Sequence, residues 1–230
     1  IHPDAKIVTI EDTPEINLAH LNWIQSVSRP GHLGVGEITL YDLLRAALRQ
    51  RPDYIIVGEI RGAEAFTLFQ AISTGHGGLS SLHADSIAAA LRRIVSEPMN
   101  IPKTLATALN FIVLQARLAV GEKPVRRVMS VSEIVGLDAR TDDFITNDVF
   151  TYRLDEDRFV YNGRSYTLER IAKVKALTEE AVERSLAERR MILDWMVKRG
   201  VRGYREVTSI ISDYYRDREA LLNRVRMELY

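Results

Sequence analysis

The sequence predicts an α/β protein with a mainly parallel sheet, flanking helices and a small C-terminal helical subdomain. Apolar strand-like runs alternate with amphipathic helical segments up to about residue 120, which is the pattern of a parallel sheet. After about residue 165 only helical segments follow. With 230 residues, of which 46% are hydrophobic, the chain is long enough to bury a sizeable core. We therefore expect two units, residues 1–164 and residues 165–230.

Charge and composition exclude several classes of protein. Lys plus Arg and Asp plus Glu both number 31, so no net positive charge favours nucleic acid or an anionic membrane. The chain has no Cys, which excludes disulfides and thiolate metal sites and fits a reducing compartment. No apolar run approaches the roughly 20 residues that a membrane span requires. We expect no transmembrane segment of its own.

The central stretch runs from Asp53 to Gly62 and ends in an acid. Residues 54–57 lack polar alternation and are rich in β-branched residues, which predicts a strand buried on both faces. Glu59 then lies at the carboxyl end of that strand, where parallel sheets bind ligands. A carboxylate at this position can hold Mg²⁺ or orient a water molecule. Taken alone, the stretch is equally consistent with a core strand that ends in a solvated Glu.

A second acidic pair follows another predicted strand. Residues 5–10 are strand-like, and Glu11 and Asp12 come directly after them. If the two strands are neighbours in one parallel sheet, Glu11 and Glu59 can meet at its edge. The alternative is a turn that is merely rich in acids.

A glycine-rich loop over residues 28–36 contains Arg29. It has neither the Lys nor the spacing of G-x-x-x-x-G-K-[ST], so it is not a P-loop. Loop flexibility is the simpler role for its glycines. Arg29 could still bind a phosphate or reach into a neighbouring subunit.

Two amphipathic helices flank the central strand. The first begins at Thr39, which forms a capping box with Asp42, and Pro52 ends it. Arg49 projects from its polar side, where an arginine is usually just solvated. The second helix spans residues 63–74.

Two histidines then bracket a short predicted strand over residues 79–82. His76 lies among glycines before it and His83 follows it. The chain has no H-E-x-x-H pattern, so a metal pair is disfavoured. Hydrogen bonding of His83 to a phosphate is the better physical use of the imidazole.

Further strands and helices complete the chain. We expect strands over residues 109–119 and 125–135, and a hairpin on the sheet edge near residues 147–162. Helices are expected over residues 168–174, 179–198 and 204–215. The long middle helix shows an apolar face made by Val182, Leu186, Leu193 and Val197.

Three stretches together resemble one family, the secretion traffic ATPases. Residues 11–15 resemble their acidic box, residues 48–61 their Walker B strand, and residues 74–83 their histidine box. These are the hexameric motors of type II secretion, type IV secretion and type IV pili. The acidic stretch and the tail near residues 192–215 are most similar to archaeal members, including the archaellum motor. The likeness covers most of residues 5–137 and, more loosely, the tail.

The resemblance implies a RecA-like fold that hydrolyses ATP with Mg²⁺ at subunit interfaces. In it Glu11 activates the attacking water, Glu59 holds Mg²⁺ directly or through water, and His83 senses the γ-phosphate. The nucleotide-binding positions it implies are Arg29, Arg49, Arg61 and His76. It also implies a homo-hexamer that is cytoplasmic and peripheral at the inner face of the cell membrane, with a membrane-embedded platform protein as partner.

The family's P-loop is the one expected feature that these 230 residues do not contain. Its backbone amides and Lys are the main cradle of the β- and γ-phosphates. We therefore expect a RecA-like core incomplete at its N-terminus, the downstream part of a motor, which binds ATP poorly on its own. One alternative is a non-hydrolysing regulatory or assembly subunit. Another is a nucleic-acid translocase, but its nearest basic loop, residues 123–127, is short, and we expect no nucleic-acid partner.

Overall fold

The computed structural model of the chain describes residues 1–31, 36–120 and 123–229. The strands are β1 Ile7–Glu11, β2 Trp23–Val27, β3 Tyr54–Glu59, β4 Gly77–Ser81, β5 Phe111–Val120, β6 Lys123–Leu137, β7 Phe144–Arg153 and β8 Arg158–Tyr161. The helices are α1 Leu40–Arg49, α2 Glu64–Ser73, α3 Ile87–Val95, α4 Lys103–Ala106, α5 Tyr166–Val174, α6 Glu179–Lys198, α7 Tyr204–Arg216 and α8 Arg218–Leu229.

The first four strands form one parallel sheet in the order β2-β1-β3-β4. This confirms the predicted α/β class with a parallel sheet and flanking helices. Val8 pairs with Ile55 and Ile10 with Val57, and these four side chains form the centre of a buried apolar cluster with α1 and α2. Because all four strands are parallel, their carboxyl ends lie at the same edge of the sheet.

The strand that is buried on both faces is β1, not β3. All five residues of β1 are buried, whereas in β3 only Ile55 and Val57 are, and Tyr54 and Ile56 are half-buried. Ile55 and Val57 are buried because α1 and α2, which contact each other, both contribute to the cluster on that face of β3.

Helix α1 begins as its sequence predicts. Thr39 Oγ1 accepts the backbone N–H of Asp42, and the Asp42 carboxylate accepts the backbone N–H of Thr39, which completes the capping box. Leu44 and Ala47 are buried against the sheet. This helix leads directly into β3 and so fixes where that strand begins.

The strands after residue 110 form a second, antiparallel sheet in the order β5-β6-β7-β8. The sequence pattern placed the strand near residues 109–119 in the parallel sheet, and this was wrong. Strands β5 and β6 are separated by too few residues for the crossover that parallel pairing requires, so they form a hairpin. The hairpin near residues 147–162 is confirmed: Phe150 pairs with Tyr161, and β8 is the sheet's outer strand.

Four helices form the C-terminal region, and three of them were predicted. The fourth, α8, was not, although it supplies the buried residues Leu221, Leu222 and Val225. The expected apolar face of α6 was also wrong. Leu186, Leu193 and Val197 are exposed, and α6 packs through the neighbouring face instead, because its bulky Ile192, Trp195 and Met196 meet α7 and α8 there. No helix in the described ranges is long and apolar enough to cross a membrane.

Glu133 of β6 joins the antiparallel sheet to α5. Its carboxylate is 1% exposed and accepts the Ser165 hydroxyl at 2.6 Å and the backbone N–H groups of Tyr166 and Thr167 at 2.9 Å each. Asn147 Nδ2 donates a fourth bond at 3.0 Å. Burial alone would raise the pKa of Glu133, but the bonds from Ser165, Asn147 and Thr167 outweigh it and lower that pKa to about 2. Glu133 is therefore charged, and its carboxylate accepts four hydrogen bonds that link β6 to its neighbours, including the start of α5.

Candidate active site

The carboxyl ends of β1, β3 and β4 bring together three of the residues singled out from the sequence. Glu11 is the last residue of β1 and Glu59 the last of β3, while His83 follows β4 by two residues. Since the strands are parallel, all three lie at the edge where such sheets bind ligands.

Glu59 lies between the side chains of His83 and Arg61. Its Oε1 is 3.7 Å from Nε2 of His83, and its Oε2 is 3.6 Å from Nε of Arg61. The Glu59 side chain is 25% exposed, and that of His83 is 87% exposed. The carboxylate is thus flanked by two nitrogen-bearing side chains and remains partly accessible to a ligand, and the imidazole is exposed.

Glu11 packs against the backbone that leads into Glu59. A Cβ atom added to Gly58 would lie 3.2 Å from Cγ of Glu11, so only glycine allows this close approach without a shift of the neighbour. The two carboxylates therefore occupy adjacent positions at the edge, as their places on neighbouring strands predicted.

The Glu11 carboxylate also holds the loop that follows β1. It is 3% exposed, and its Oε1 accepts the backbone N–H groups of Glu15 at 2.9 Å and Ile16 at 2.8 Å. Gln25 Nε2 lies 3.5 Å from the other oxygen. The Glu11 carboxylate is therefore shielded from solvent and binds the backbone of the loop that follows β1.

Arg61 is fixed by two acids that the sequence did not single out for this role. Its Nη2 donates to Oδ2 of Asp12 at 2.5 Å, and Asp12 also accepts the Ser28 hydroxyl at 2.7 Å. Glu64 Oε1 accepts the backbone N–H groups of Arg61 at 2.6 Å and Gly62 at 2.7 Å. Glu64 three residues after Arg61, at the start of α2, was the available signal for this cap.

Two of the predicted nucleotide-binding residues lie at the other end of the sheet. Arg49 ends α1 just before β3 begins, and His76 lies between α2 and the first residue of β4. The His76 ring and backbone N–H both contact the carbonyl oxygen of Ala71. The structure therefore does not bring Arg49 or His76 together with Glu59 within one chain.

Arg29 lies beside the glycine-rich loop. Its Nε donates to the carbonyl oxygen of Gly36 at 2.9 Å, and its backbone pairs with Ile38. Residues 32–35 of that loop lie outside the described residues. Arg29 is exposed and follows β2, so it belongs to the same edge of the sheet as Glu11.

Glu59 is also the residue proposed from the sequence to hold a metal. Among the described residues no group of three or more His, Asp or Glu side chains could hold a metal ion. One accessible carboxylate fits Mg²⁺, which takes one or two protein carboxylates and completes its shell with phosphate oxygens and water. Such an ion would neutralise phosphate charge at this edge.

An apolar groove separates the two sheets beside this site. It has a volume of about 560 Å³ and is lined by β4 on one side and by β5 on the other. Leu79 of β4 and the β5 residues Phe111 and Val113 are exposed along it. In the described part of the chain neither β4 nor β5 has a strand partner on the side that faces the groove.

The fold is that of an α/β protein with a parallel sheet, and its two acids and histidine lie at the carboxyl edge, where such sheets bind ligands. The chain belongs to a family described as type II/IV secretion system protein, whose model matches residues 1–193. This confirms the family that the three stretches predicted.

Relatives come from archaea and bacteria. Protein MJ1287 of Methanocaldococcus jannaschii is 52% identical over 190 residues, which cover 82% of this chain and 70% of that protein. Protein MJ0900 of the same organism is 41% identical over 219 residues, covering 94% of this chain and 40% of that protein. The type IV secretion system protein PtlH of Bordetella pertussis is 34% identical over 154 residues, which cover 60% of this chain and 45% of that protein. The chain thus spans less than half the length of some curated relatives.

Two solved structures are also similar. The VirB11 ATPase of the Brucella suis type IV secretion system is 26% identical, with a TM-score of 0.47 over 57% of this chain and 40% of that one. The pilus retraction motor PilT with bound ADP is 30% identical, with a TM-score of 0.45 over 59% and 40%. The family assignment itself rests on the sequence match.

Proposed function

We propose that this chain is the downstream part of an ATP-hydrolysing motor that powers protein secretion or the assembly of a pilus or archaellum. The observation that carries the proposal is the meeting of Glu59, Arg61 and His83 at the carboxyl edge of a parallel sheet, in a member of the secretion family. Phosphoryl transfer depends on positioning and charge neutralisation, which these groups can supply.

Each residue of the edge has a proposed task. Glu59 holds Mg²⁺ directly or through water, and His83 donates a hydrogen bond to the γ-phosphate. Glu11 orients the attacking water through Oε2, because Oε1 already accepts the bonds from Glu15 and Ile16, and its buried carboxylate must become accessible to that water. Mg²⁺, when bound, neutralises charge on the transferred phosphoryl group. Arg29 and Arg61 add positive charge at the same edge.

The chain lacks the amide-rich phosphate loop, and the groove suggests where a missing part belongs. Within the described residues, β4 and β5 each present to it a strand edge without a partner, and a buried apolar strand would pair with both. Some of the relatives are much longer than the chain. We propose that a segment outside residues 1–230 fills the groove and brings the phosphate cradle to Glu59.

The proposal includes a homo-oligomer, with six subunits as in the family resemblance. Arg49 lies at the opposite end of the sheet from Glu59, so it could reach the phosphates only at the site of a neighbouring copy. The motor would work in the cytoplasm at the inner face of the membrane, against a membrane-embedded platform protein.

Nucleotide binding and hydrolysis test the proposal. The intact gene product should hydrolyse Mg-ATP, and residues 1–230 alone should bind ATP more weakly than micromolar. Isothermal titration of both proteins with ATP and Mg²⁺, together with phosphate release, measures this. Micromolar affinity of the isolated chain would overturn the claim that the phosphate cradle lies elsewhere. Absence of ATP hydrolysis by the intact gene product would overturn the proposal that it is an ATP-hydrolysing motor.

A second function is favoured by one observation. Glu11 is buried and already accepts two backbone bonds, as expected if it only shapes the loop. A non-hydrolysing assembly subunit of the same fold would look like this. Binding of ATP by the intact gene product without phosphate release would favour it.

A further inference from the structure

Strand β3 contains a β-bulge that reverses the side on which Glu59 lies. Val57 pairs with Ser80 and Glu59 with Ser81, so Gly58 is one extra residue opposite β4. Gly58 has no partner in the register of β1 either, where pairing ends at Val57 and Ile10. The bulge is therefore the point at which β3 leaves the regular ladder.

The faces of the neighbouring side chains show the effect of the bulge. Side chains alternate along a regular strand, so Val57 and Ile60 would point to opposite faces. Instead both are buried in the same apolar cluster on the helix-covered face. If β3 continued as a regular strand through Gly58, Glu59 would share the face of Val57 and meet that cluster. With the bulge, Glu59 lies on the side where Gly58 touches Glu11.

Ser81 holds this bulge closed. Its hydroxyl donates to the carbonyl oxygen of Gly58 at 2.6 Å, and its own carbonyl oxygen accepts the N–H of Ile60 at 3.1 Å. These two bonds lie on either side of Glu59. The neighbouring Ser80 is also exposed, but among the described residues its hydroxyl hydrogen-bonds only to the carbonyl oxygen of Ser81, at 3.3 Å.

We propose that Ser81 is a positioning residue: its hydroxyl closes the bulge at Gly58 and so directs the Glu59 carboxylate toward the ligand. The role in hydrolysis rests on the proposed ATPase function. Ser81 acts through Glu59 and not through the substrate. Its loss should slow the chemical step and leave nucleotide affinity nearly unchanged.

The test compares three variants of the intact gene product, Ser81→Ala, Ser81→Thr and Ser80→Ala. Residues that orient a metal ligand typically contribute 10- to 100-fold to activity. We expect kcat of Ser81→Ala to fall by about 10-fold or more with KM within about 3-fold, and the Mg²⁺ dependence to shift to higher concentration. Ser81→Thr keeps the hydroxyl and should restore most of kcat. Ser80→Ala should behave as the parent protein does.

Hydrogen exchange gives a readout that is independent of hydrolysis. Mass spectrometry of the same proteins should show faster exchange over residues 57–61 in Ser81→Ala and no change there in Ser80→Ala. If exchange and kcat of Ser81→Ala match the parent protein, the proposal is overturned. A rise in KM with unchanged exchange also overturns it, because Ser81 would then contact the nucleotide directly. If the parent protein does not hydrolyse ATP, the proposed motor function is wrong. The hydrogen-exchange rates over residues 57–61 then decide alone whether Ser81 holds the bulge.

Discussion

Oε1 of Glu59 lies 3.7 Å from Nε2 of His83, although the two residues are 24 positions apart in the chain. The contact exists because β3 and β4 are parallel neighbours, so that both side chains leave the sheet at the same edge. The residue that we propose as the ligand of Mg²⁺ and the one that we propose as the donor to phosphate therefore lie side by side.

Gly58 should tolerate no side chain. In Gly58→Ala the new Cβ would lie 3.2 Å from Cγ of Glu11, so Glu11 or β3 must shift by a few tenths of an ångström. We expect a loss of about 1–3 kcal/mol in the free energy of unfolding and lower ATP hydrolysis, measured by urea unfolding and phosphate release.

Gly136→Ala is the matched control, because no described residue other than the two chain neighbours of Gly136 lies within 4 Å of its Cβ position. It should leave both quantities nearly unchanged. Equal behaviour of the two variants would mean that the approach of Glu11 to Gly58 has no consequence.

Arg49 should act on the site of a neighbouring subunit. Arg49→Ala and Glu59→Gln should each inactivate the intact gene product. Assemblies mixed from both variants should regain activity, because some interfaces combine an intact Glu59 with an intact Arg49. Random head-to-tail mixing predicts about a quarter of the parent activity. Mixtures no more active than either variant alone would place Arg49 outside the site.

The two acids around Arg61 should differ in their effect on stability. Asp12 and Arg61 form an exposed ion pair, so Asp12→Asn should change the free energy of unfolding by less than about 1 kcal/mol. Glu64 is buried and accepts two backbone bonds, so Glu64→Ala should cost about 2 kcal/mol or more. Urea unfolding of both variants measures the difference, and the reverse order would contradict this account of the turn.

Glu133 should make stability depend on acid pH. Its pKa is about 2 in the folded chain and 4.5 without the fold, so folding favours the charged carboxylate. The stabilisation is fully present above about pH 5 and is lost as the pH falls toward about 2. The shift corresponds to roughly 3 kcal/mol. Unfolding of Glu133→Gln between pH 7 and pH 3 should show a smaller loss with falling pH than the parent protein.

Glu169→Gln provides the comparison. Glu169 is an exposed carboxylate paired with Arg164, so its removal should alter stability much less than the removal of Glu133. If both variants lose the same free energy of unfolding, the hydrogen bonds of Glu133 are not what attaches α5 to β6.

The sequence predicted those features that depend on local chemistry. The capping box at Thr39 and Asp42, the strand that ends in Glu59 and the hairpin of Phe150 and Tyr161 are confirmed because turn residues and apolar runs determine them. It allowed Glu11 and Glu59 to meet if their strands are neighbours, and the structure makes β1 and β3 neighbours and adds His83 at the same edge.

Features that depend on distant partners were not predictable in this way. The face of α6 that packs is decided by α7 and α8, and α8 carries no strong apolar stripe of its own. The sheet to which β5 belongs depends on which strand lies beside it in the folded chain, and that strand is β6. Arg49 and His76 are close to Glu59 and His83 in the sequence, yet they lie at the opposite ends of the strands from Glu59.

Hydrolysis by Glu59→Gln in the intact gene product tests the central claim most directly. Gln keeps the size of the side chain and removes its charge, so ATP should still bind. We predict that kcat falls by about 100-fold or more, a loss comparable to that of one preorganised charge-stabilising group. The result that would contradict the account is a Glu59→Gln protein that hydrolyses Mg-ATP at the parent rate.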